Sequence, residues 1–242
     1  CNRVLNNARL NKTPRQANRL KLSALAVLMC SPLTFANDLQ LKGVIDGPLP
    51  GGLPKAVKVY VGSDINDLSQ CGLGSANNGG GSDGQEFTFP AVSALAGDYI
   101  YVASESESFA QYLGFSPNYT SSAANINGDD AIELFCGDEV IDVFGDINVD
   151  GTGEAWEYLD GWAHRVDGTE ADGTFELSHW EFSGPNALDG AATNETSDSP
   201  FRTDVDIDDN GDDDDSDGDD GNDDNVDDSV EPTVIISEYV EG

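Results

Sequence analysis

Two short runs of β-branched, aromatic and other apolar residues, separated by a two-residue turn, most constrain how this chain can fold. The first run covers 131–136, AIELFC, and the second covers 140–144, VIDVF, with Gly137 and Asp138 between them. Such side chains suit a pleated, half-buried surface, and a Gly-Asp pair favours a tight turn. The pattern therefore predicts an antiparallel β-hairpin near the middle of the chain.

Short apolar runs between turn-forming residues recur from 37 to 203. They predict strands at 39–45, 57–61, 86–89, 99–102, 156–159 and 174–177, loops at 46–54 and 62–85, and one short helix at 106–113. The prolines and glycines of the first loop are expected to prevent regular pairing there. Many short strands without sustained helical periodicity indicate an all-β fold, with a β-sandwich as its architecture.

Residues 1–36 have the organisation of a secretory signal peptide. Six of the eleven Lys and Arg residues lie there without any acidic residue, and an apolar core covers 22–30. Thr34 and Ala36 place small residues at both positions that a signal peptidase reads. The apolar core is too short to span a bilayer. We expect cleavage after Ala36 and secretion, with no membrane attachment of the mature protein.

The chain that remains after this cleavage is strongly acidic. It holds five Lys and Arg residues against 46 Asp and Glu residues, so its formal charge is −41. A surface of this charge repels phosphate backbones, and we do not expect this region to bind DNA directly.

Aspartate residues concentrate beyond the strand-rich region and make up 15 of the 25 residues from 204 to 228. Such a composition cannot bury enough apolar area to offset the entropy lost on ordering, so 204–232 is predicted to be a disordered linker. The apolar run at 233–242 echoes 41–47, which indicates the first strand of a second, similar domain. We interpret the chain as part of a longer protein.

Two cysteines, Cys71 and Cys136, remain after the predicted cleavage. In an oxidising compartment two such residues often pair, and this pair would close a loop of about 65 residues. Two separate buried thiols are the alternative.

Oxygen-bearing side chains at alternate positions follow the predicted hairpin. Asp146, Asn148, Asp150 and Glu157 match positions 1, 3, 5 and 12 of a calcium loop, with Gly151 at its sharp turn. Hard oxygen ligands at this spacing can converge on one Ca²⁺ ion. The helices that usually flank such a loop are missing from the pattern, so an ordinary acidic turn between strands is the alternative.

The residues of this chain do not make up a recognisable catalytic set. Asp146 and Asn148 also imitate a Gly-Asp-x-Asn motif of metal-dependent phosphodiesterases, but that chemistry needs further carboxylates and a histidine that activates water. His164 and His179 are interpreted as surface or core-edge residues of strands. Core packing is predicted for three tryptophans, with a carbohydrate or base-stacking platform as the alternative: Trp156, Trp162 and Trp180.

Several segments resemble, in order, the leading domain of large secreted bacterial nucleases: KAVKVYVGSDINDLSQCGL, EFTFP, AGDYIYVAS, NINGDDAIELF and VIDVFGDINVDGTGEAWEYLDGWA. In those proteins a lamin-tail-like, immunoglobulin-type β-sandwich precedes an endonuclease/exonuclease/phosphatase domain. The resemblance covers about 37–203 plus 233–242 and is most specific at 126–163. It implies that the catalytic residues, and a divalent metal such as Mg²⁺, belong to a domain beyond Gly242.

Two functions are therefore expected. The first is a non-catalytic accessory domain of a secreted nuclease, whose partners are downstream domains of the same chain and whose parent protein takes DNA as substrate. The alternative is a secreted or surface protein with a structural or adhesive role, in which Ca²⁺ stiffens the β-sandwiches.

Overall fold

The computed structural model describes residues 38–137 and 139–203. The predicted signal peptide at 1–36, linker at 204–232 and strand at 233–242 therefore lie outside the described residues. In the described part, most regular structure is β-strand, as predicted for an all-β fold, and no helix there is long and apolar enough to cross a bilayer.

The described strands are, in chain order, β1 (Leu39–Leu49), β2 (Leu53–Val61), β3 (Cys71–Ala76), β4 (Phe87–Thr88), β5 (Tyr99–Ala103), β6 (Tyr119–Thr120), β7 (Ala131–Cys136), β8 (Glu139–Phe144), β9 (Gly161–Arg165) and β10 (Trp180–Phe182). One α-helix, α1 (Glu107–Leu113), confirms the short helix predicted at 106–113. Short 3-10 turns lie at Leu68–Gln70, Asn77–Gly79, Ser122–Ala124, Leu177–His179 and Asn194–Thr196.

The strands form two sheets that pack face to face. One has the order β10-β9-β1-β2-β5-β6 and the other the order β4-β3-β7-β8. All neighbours are antiparallel except β5 and β6. Leu41 and Val59 from the first sheet join Leu73 and Leu134 from the second in one buried cluster. Burial of both inner faces in a shared core is the packing of a β-sandwich.

A smaller apolar cluster covers part of the other face of the six-stranded sheet. Tyr101 on β5 packs there against Phe109 of α1, with ring centroids 5.7 Å apart. Leu188 and Phe201 from the C-terminal part of the described chain belong to the same cluster. The helix therefore serves as a cover for this sheet rather than as a separate layer.

The central hairpin and the disulfide are both confirmed. Strands β7 and β8 pair antiparallel around Gly137, whose φ of 64° is the left-handed conformation that such a turn favours. Cys136 on β7 lies directly opposite Cys71 on β3, and the two are joined by a disulfide. This bond connects the hairpin to a strand 65 residues earlier in the chain.

The loop prediction for 62–85 is wrong at β3. All six residues of this strand are buried, although three of them are Gly or Ser. A Cβ atom on Gly72 would lie 1.9 Å from the carbonyl oxygen of Phe87, so the neighbouring strand β4 could not approach a larger residue. The glycines therefore permit close strand packing here, which local composition does not reveal.

Other strand boundaries also differ from the sequence prediction. Strand β1 continues to Leu49 and β2 begins at Leu53, so the loop predicted at 46–54 is largely a second hairpin. The segments predicted as strands at 156–159 and 174–177 contain no strand: the first is turn and irregular backbone, and the second is irregular up to the 3-10 turn that begins at Leu177. Tyr158, for example, is fully buried, but its amide donates to Gly128 rather than to a strand partner. These segments resemble strands in the sequence because they contain aromatic residues that pack in the structure, but their backbones do not pair with a neighbouring strand.

The disulfide generates a prediction about stability. Replacing both Cys71 and Cys136 with Ser should lower the free energy of unfolding by about 2–4 kcal/mol, because the unfolded chain regains the freedom of a long closed loop. Urea denaturation would measure the change, and the wild-type protein under a reducing agent should match the double variant. An unchanged midpoint would show that the bond does not constrain the unfolded chain.

Candidate functional site

The acidic loop at 146–157 is held in place by the turn that precedes β7. The amide of Gly151 donates to the carbonyl of Asp129 at 3.0 Å, and the Thr152 hydroxyl donates to the Asp129 carboxylate at 3.0 Å. The amide of Tyr158 donates to Gly128 at 2.7 Å. A Cβ atom at Gly128 would lie 2.0 Å from the backbone of Leu159, so only glycine permits this approach.

Trp156 anchors the same loop from below. Its ring is 5% exposed and packs against Phe144 on β8 and Phe175, with centroids 6.1 and 6.0 Å apart. Core packing is thereby confirmed for Trp156, and also for Trp180, which is 5% exposed and 4.7 Å from Phe144. Trp162 is half-buried, and its indole nitrogen donates to the carbonyl of Ser199.

The predicted calcium ligands make local hydrogen bonds within the loop. One carboxylate oxygen of Asp146 accepts from the amide of Asn148, and one of Asp150 accepts from the amide of Thr152, both at 2.9 Å. The backbone hydrogen bond from Thr152 lowers the pKa of Asp150 below its usual value. The Glu157 carboxylate accepts from the amide of Gly153 at 2.9 Å. These bonds define the loop's shape while leaving other lone pairs on each oxygen.

Two of the four predicted ligands share a cleft. Asp146 and Asn148 line a cleft of about 460 Å³ beside the four-stranded sheet, whereas Asp150 and Glu157 are not among its lining residues. The cleft is completed by Glu133, Val140, Val143, Gly145, Ile147, Gly173, Thr174 and Phe175. Across residues 38–137 and 139–203, no three His, Cys, Asp or Glu side chains are grouped to hold a metal ion. Binding of Ca²⁺ by the four-residue set stays a prediction.

A somewhat larger cleft, of about 530 Å³, lies on the six-stranded sheet, away from the acidic loop. Its polar groups satisfy one another: the Lys42 ammonium lies 2.8 Å from the Asp167 carboxylate, and the Gln40 amide donates to the carbonyl of Thr169 at 2.7 Å. The smaller cleft is chemically more informative, because its lining includes a buried carboxylate oxygen that has no partner.

Buried ion pairs account for two of the five Lys and Arg residues in the described part. The Lys55 ammonium donates to Asp46 at 2.8 Å, to the carbonyl of Ile126 at 2.7 Å and to the side chain of Asn127 at 2.9 Å. These three bonds use all of its donors. Burial raises the pKa of Asp46, and the Lys55 bond offsets part of that effect. Lys55 thereby joins β1 and β2 to the turn before β7.

The second buried pair joins Arg165 on β9 to Asp142 on β8. Arg165 also donates to the carbonyl of Leu41 at 2.8 Å, while Asp142 accepts from the amide of Leu41 at 2.8 Å. The guanidinium stacks over Trp180, 4.6 Å from the ring centroid. Sequence reasoning did not find either ion pair, because a hairpin turn separates Asp46 from Lys55 and the long loop between β8 and β9 separates Asp142 from Arg165.

The remaining basic residues are engaged as well. Arg202 pairs with Glu181 at 2.8 Å, and Lys58 donates to the carbonyl of Arg202 at 3.0 Å. Together with Lys42, this places every Lys and Arg of the described part in a bond to a protein partner. The structure therefore offers no cluster of uncommitted cations in that part for a phosphate backbone.

The two histidines occupy structural positions. His164 lies on a strand, β9, as expected. It is 2% exposed, which excludes the surface alternative, and its Nε2 accepts from the amide of Arg202 at 2.9 Å. Its ring stacks on Phe201 with centroids 4.4 Å apart. His179 is partly exposed and lies in a 3-10 turn rather than a strand. Neither residue is among those that line the cleft with Asp146.

No family model, curated protein or solved structure matches this chain. The resemblance to the leading domain of secreted nucleases therefore stays a prediction from the quoted motifs.

The Asp142 site generates a prediction about pH. Burial raises the pKa of Asp142 from 3.8 to about 6, although Arg165 opposes this shift. Between those values the folded protein binds the proton more tightly than the unfolded chain, so the contribution of Asp142 to stability falls as pH rises. The stability of the wild type relative to Asp142→Asn should therefore decrease by on the order of 3 kcal/mol across this window.

Urea denaturation over a pH series would measure this difference. Asp167→Asn is the matched control with the opposite sign, because the hydrogen bond from Lys42 lowers the pKa of Asp167. The wild type should gain stability over this control variant as pH rises through the acidic range. If the wild type also gained stability over Asp142→Asn as pH rises, this would mean that Arg165 keeps the Asp142 carboxylate ionised throughout the range.

Proposed function

We propose that residues 37–203 form a non-catalytic accessory domain of a secreted nuclease that degrades extracellular DNA. In this proposal the acidic linker at 204–232 tethers the domain to the rest of the protein, and the catalytic domain lies beyond Gly242. A divalent metal, Mg²⁺ or similar, belongs to that catalytic domain. DNA is the substrate of the whole protein and does not bind to this acidic region.

The observation that carries the non-catalytic part is the structural use of the charged side chains. Lys55 and Arg165 are engaged in buried ion pairs, and His164 accepts a backbone hydrogen bond within the fold. A phosphodiesterase site needs clustered carboxylates for metal and a histidine or other base for water. Among the described residues no such group of three is formed.

Secretion is supported by the disulfide, because such bonds persist chiefly in oxidising compartments. The signal-like segment at 1–36 supports it independently. The nuclease assignment itself is supported by the resemblance at 126–163, since a β-sandwich by itself is compatible with many functions.

A second candidate is a secreted or surface protein with a structural or adhesive role whose sandwiches are stiffened by Ca²⁺. The observation that favours it is the anchoring of the acidic loop at 146–157 to Asp129 and Gly128. A cation bound in this region would reinforce a loop already fixed at both ends. The two candidates differ in the kind of domain that each places beyond Gly242.

A cleavage assay tests the non-catalytic proposal. The purified 242-residue chain, incubated with double-stranded DNA, Mg²⁺ and Ca²⁺, should leave the DNA intact, and Asp146→Ala should behave identically. Cleavage that Asp146→Ala abolishes would contradict the proposal, because Asp146 would then belong to an active site within this chain.

Sequencing the gene beyond the codon for Gly242 separates the two candidates. A downstream domain with a Gly-Asp-x-Asn strand end and a later Ser-Asp-His would support the nuclease. Further acidic sandwiches that end in a surface anchor would support the structural or adhesive protein instead.

A further inference from the structure

We propose that Glu133, Asp146 and Asn148 form a binding site for a divalent cation, with Ca²⁺ as the expected ion, in the cleft on the outer face of the four-stranded sheet. Glu133 plays no part in the sequence motif of the calcium loop. The site is independent of the nuclease assignment, and it can be tested separately from DNA cleavage.

The position of Glu133 follows from strand alternation. Ile132 and Leu134, its neighbours on β7, point into the shared core, so Glu133 lies on the opposite face of the strand. It lies opposite Gly74 on β3 and Val143 on β8, in the interior of the sheet. Its side chain is therefore surrounded by strands on both sides.

One carboxylate oxygen of Glu133 is buried without a partner. The residue is 2% exposed, and its Oε2 atom is inaccessible to solvent and has no hydrogen-bond partner. The lining of its cleft includes the apolar side chains of Val140, Val143 and Phe175. An isolated buried carboxylate is strongly unfavourable unless a cation, a hydrogen-bond donor or a proton satisfies it.

Three other buried carboxylates in the described part have a partner of one of these kinds. Asp46 has Lys55 and Asp142 has Arg165, each within hydrogen-bond distance. Asp130 accepts from two backbone amides, those of Asn78 and Asn127. Glu133 Oε2 has neither kind of partner, and every Lys and Arg of the described part is engaged elsewhere. Among the described residues, no donor or cation therefore compensates this oxygen, which is what a bound cation in the cleft would do.

The cleft supplies the remaining ligands for a hard cation. Asp146 and Asn148 line it together with Glu133, so two residues with carboxylates and one with a side-chain amide share its surface. Two carboxylates balance the charge of Ca²⁺, and a volume of about 460 Å³ leaves room for bound waters. Calcium accepts six to eight oxygen ligands in flexible geometry and commonly completes its shell with water.

This site differs from the one that the loop motif predicts. Both use Asp146 and Asn148, but the proposed site takes its second carboxylate from Glu133 on the sheet, whereas the motif takes Asp150 and Glu157. The latter two carboxylates accept hydrogen bonds from the amides of Thr152 and Gly153 and do not line the cleft. The contrast yields separate predictions for each residue.

Thermal unfolding of the full 242-residue chain, with and without millimolar Ca²⁺, tests the proposal. Saturating Ca²⁺ should raise the Tm of the wild type by roughly 5 °C or more, because the ion binds only the folded sandwich. Glu133→Gln should abolish this rise. Without Ca²⁺ the same variant should be at least as stable as the wild type, because the isosteric amide removes a buried charge that has no partner.

Three further variants separate this site from its alternatives. Glu139→Gln changes an exposed carboxylate on the same hairpin and should keep the full response to Ca²⁺. Asp150→Asn and Glu157→Gln should also keep it. Loss of the response in those two variants, with retention in Glu133→Gln, would overturn the proposal in favour of the loop motif. A wild type that does not respond to Ca²⁺ would overturn it too.

Terbium luminescence provides a second readout that is local to the cleft. Trp156 packs 6.0 Å from Phe175, which lines the cleft, so excitation of this tryptophan should sensitise Tb³⁺ bound there. The signal should fall sharply in Glu133→Gln and in Asp146→Asn but not in Glu139→Gln. An unchanged signal in Glu133→Gln would contradict the proposal.

Discussion

The ion pair between Asp142 and Arg165 connects the two sheets at a point where β1 departs from regular pairing. The register of β1 against β2 shifts between Leu41 and Gly43. Asp142 accepts from the amide of Leu41, and Arg165 donates to its carbonyl, so both backbone groups of this residue are satisfied by side chains from β8 and β9. Removing either partner would leave a buried charge as well as a free backbone group.

A second buried pair of opposite charge, Asp46 and Lys55, lies in the described part as well. The described part contains five Lys and Arg residues. Two of them, Lys55 and Arg165, link segments that are far apart in sequence. The surface is left dominated by carboxylates, which disfavours contact with polyanions and favours cations. An accessory role beside a nuclease is compatible with such a surface because the catalytic domain would handle the DNA.

The acidic loop and the hairpin before it act as one structural unit. Asp129 holds the loop, Trp156 fills the space below it, and Glu133 lies in the cleft on the adjoining sheet. A cation in this cleft would join the sheet to the loop, much as Lys55 joins β1 and β2 to the turn before β7. Function and stability would then be linked through the ion rather than through a catalytic step.

Local patterns in the sequence were sufficient for the hairpin at β7 and β8, the first strands, the short helix and the all-β class, because alternation and turn residues act over a few positions. The Cys71–Cys136 pair could also be predicted, since only two cysteines remain after the predicted signal cleavage and they have few alternatives. Strand β3 could not, because its glycines are explained only by the approach of Phe87.

The residues of the candidate site divide in the same way, into those that the sequence indicates and those that only the tertiary structure reveals. The spacing of Asp146 and Asn148 indicated a cation-binding loop from the sequence, whereas Glu133 belongs to no motif in the sequence. Only the tertiary structure shows that the segment around Phe175 lies beside the face of β7 that Glu133 occupies. It also shows that the Oε2 atom of Glu133 has no hydrogen-bond partner. Alternation determines which face of a strand a side chain occupies, but burial of that face depends on segments distant in sequence.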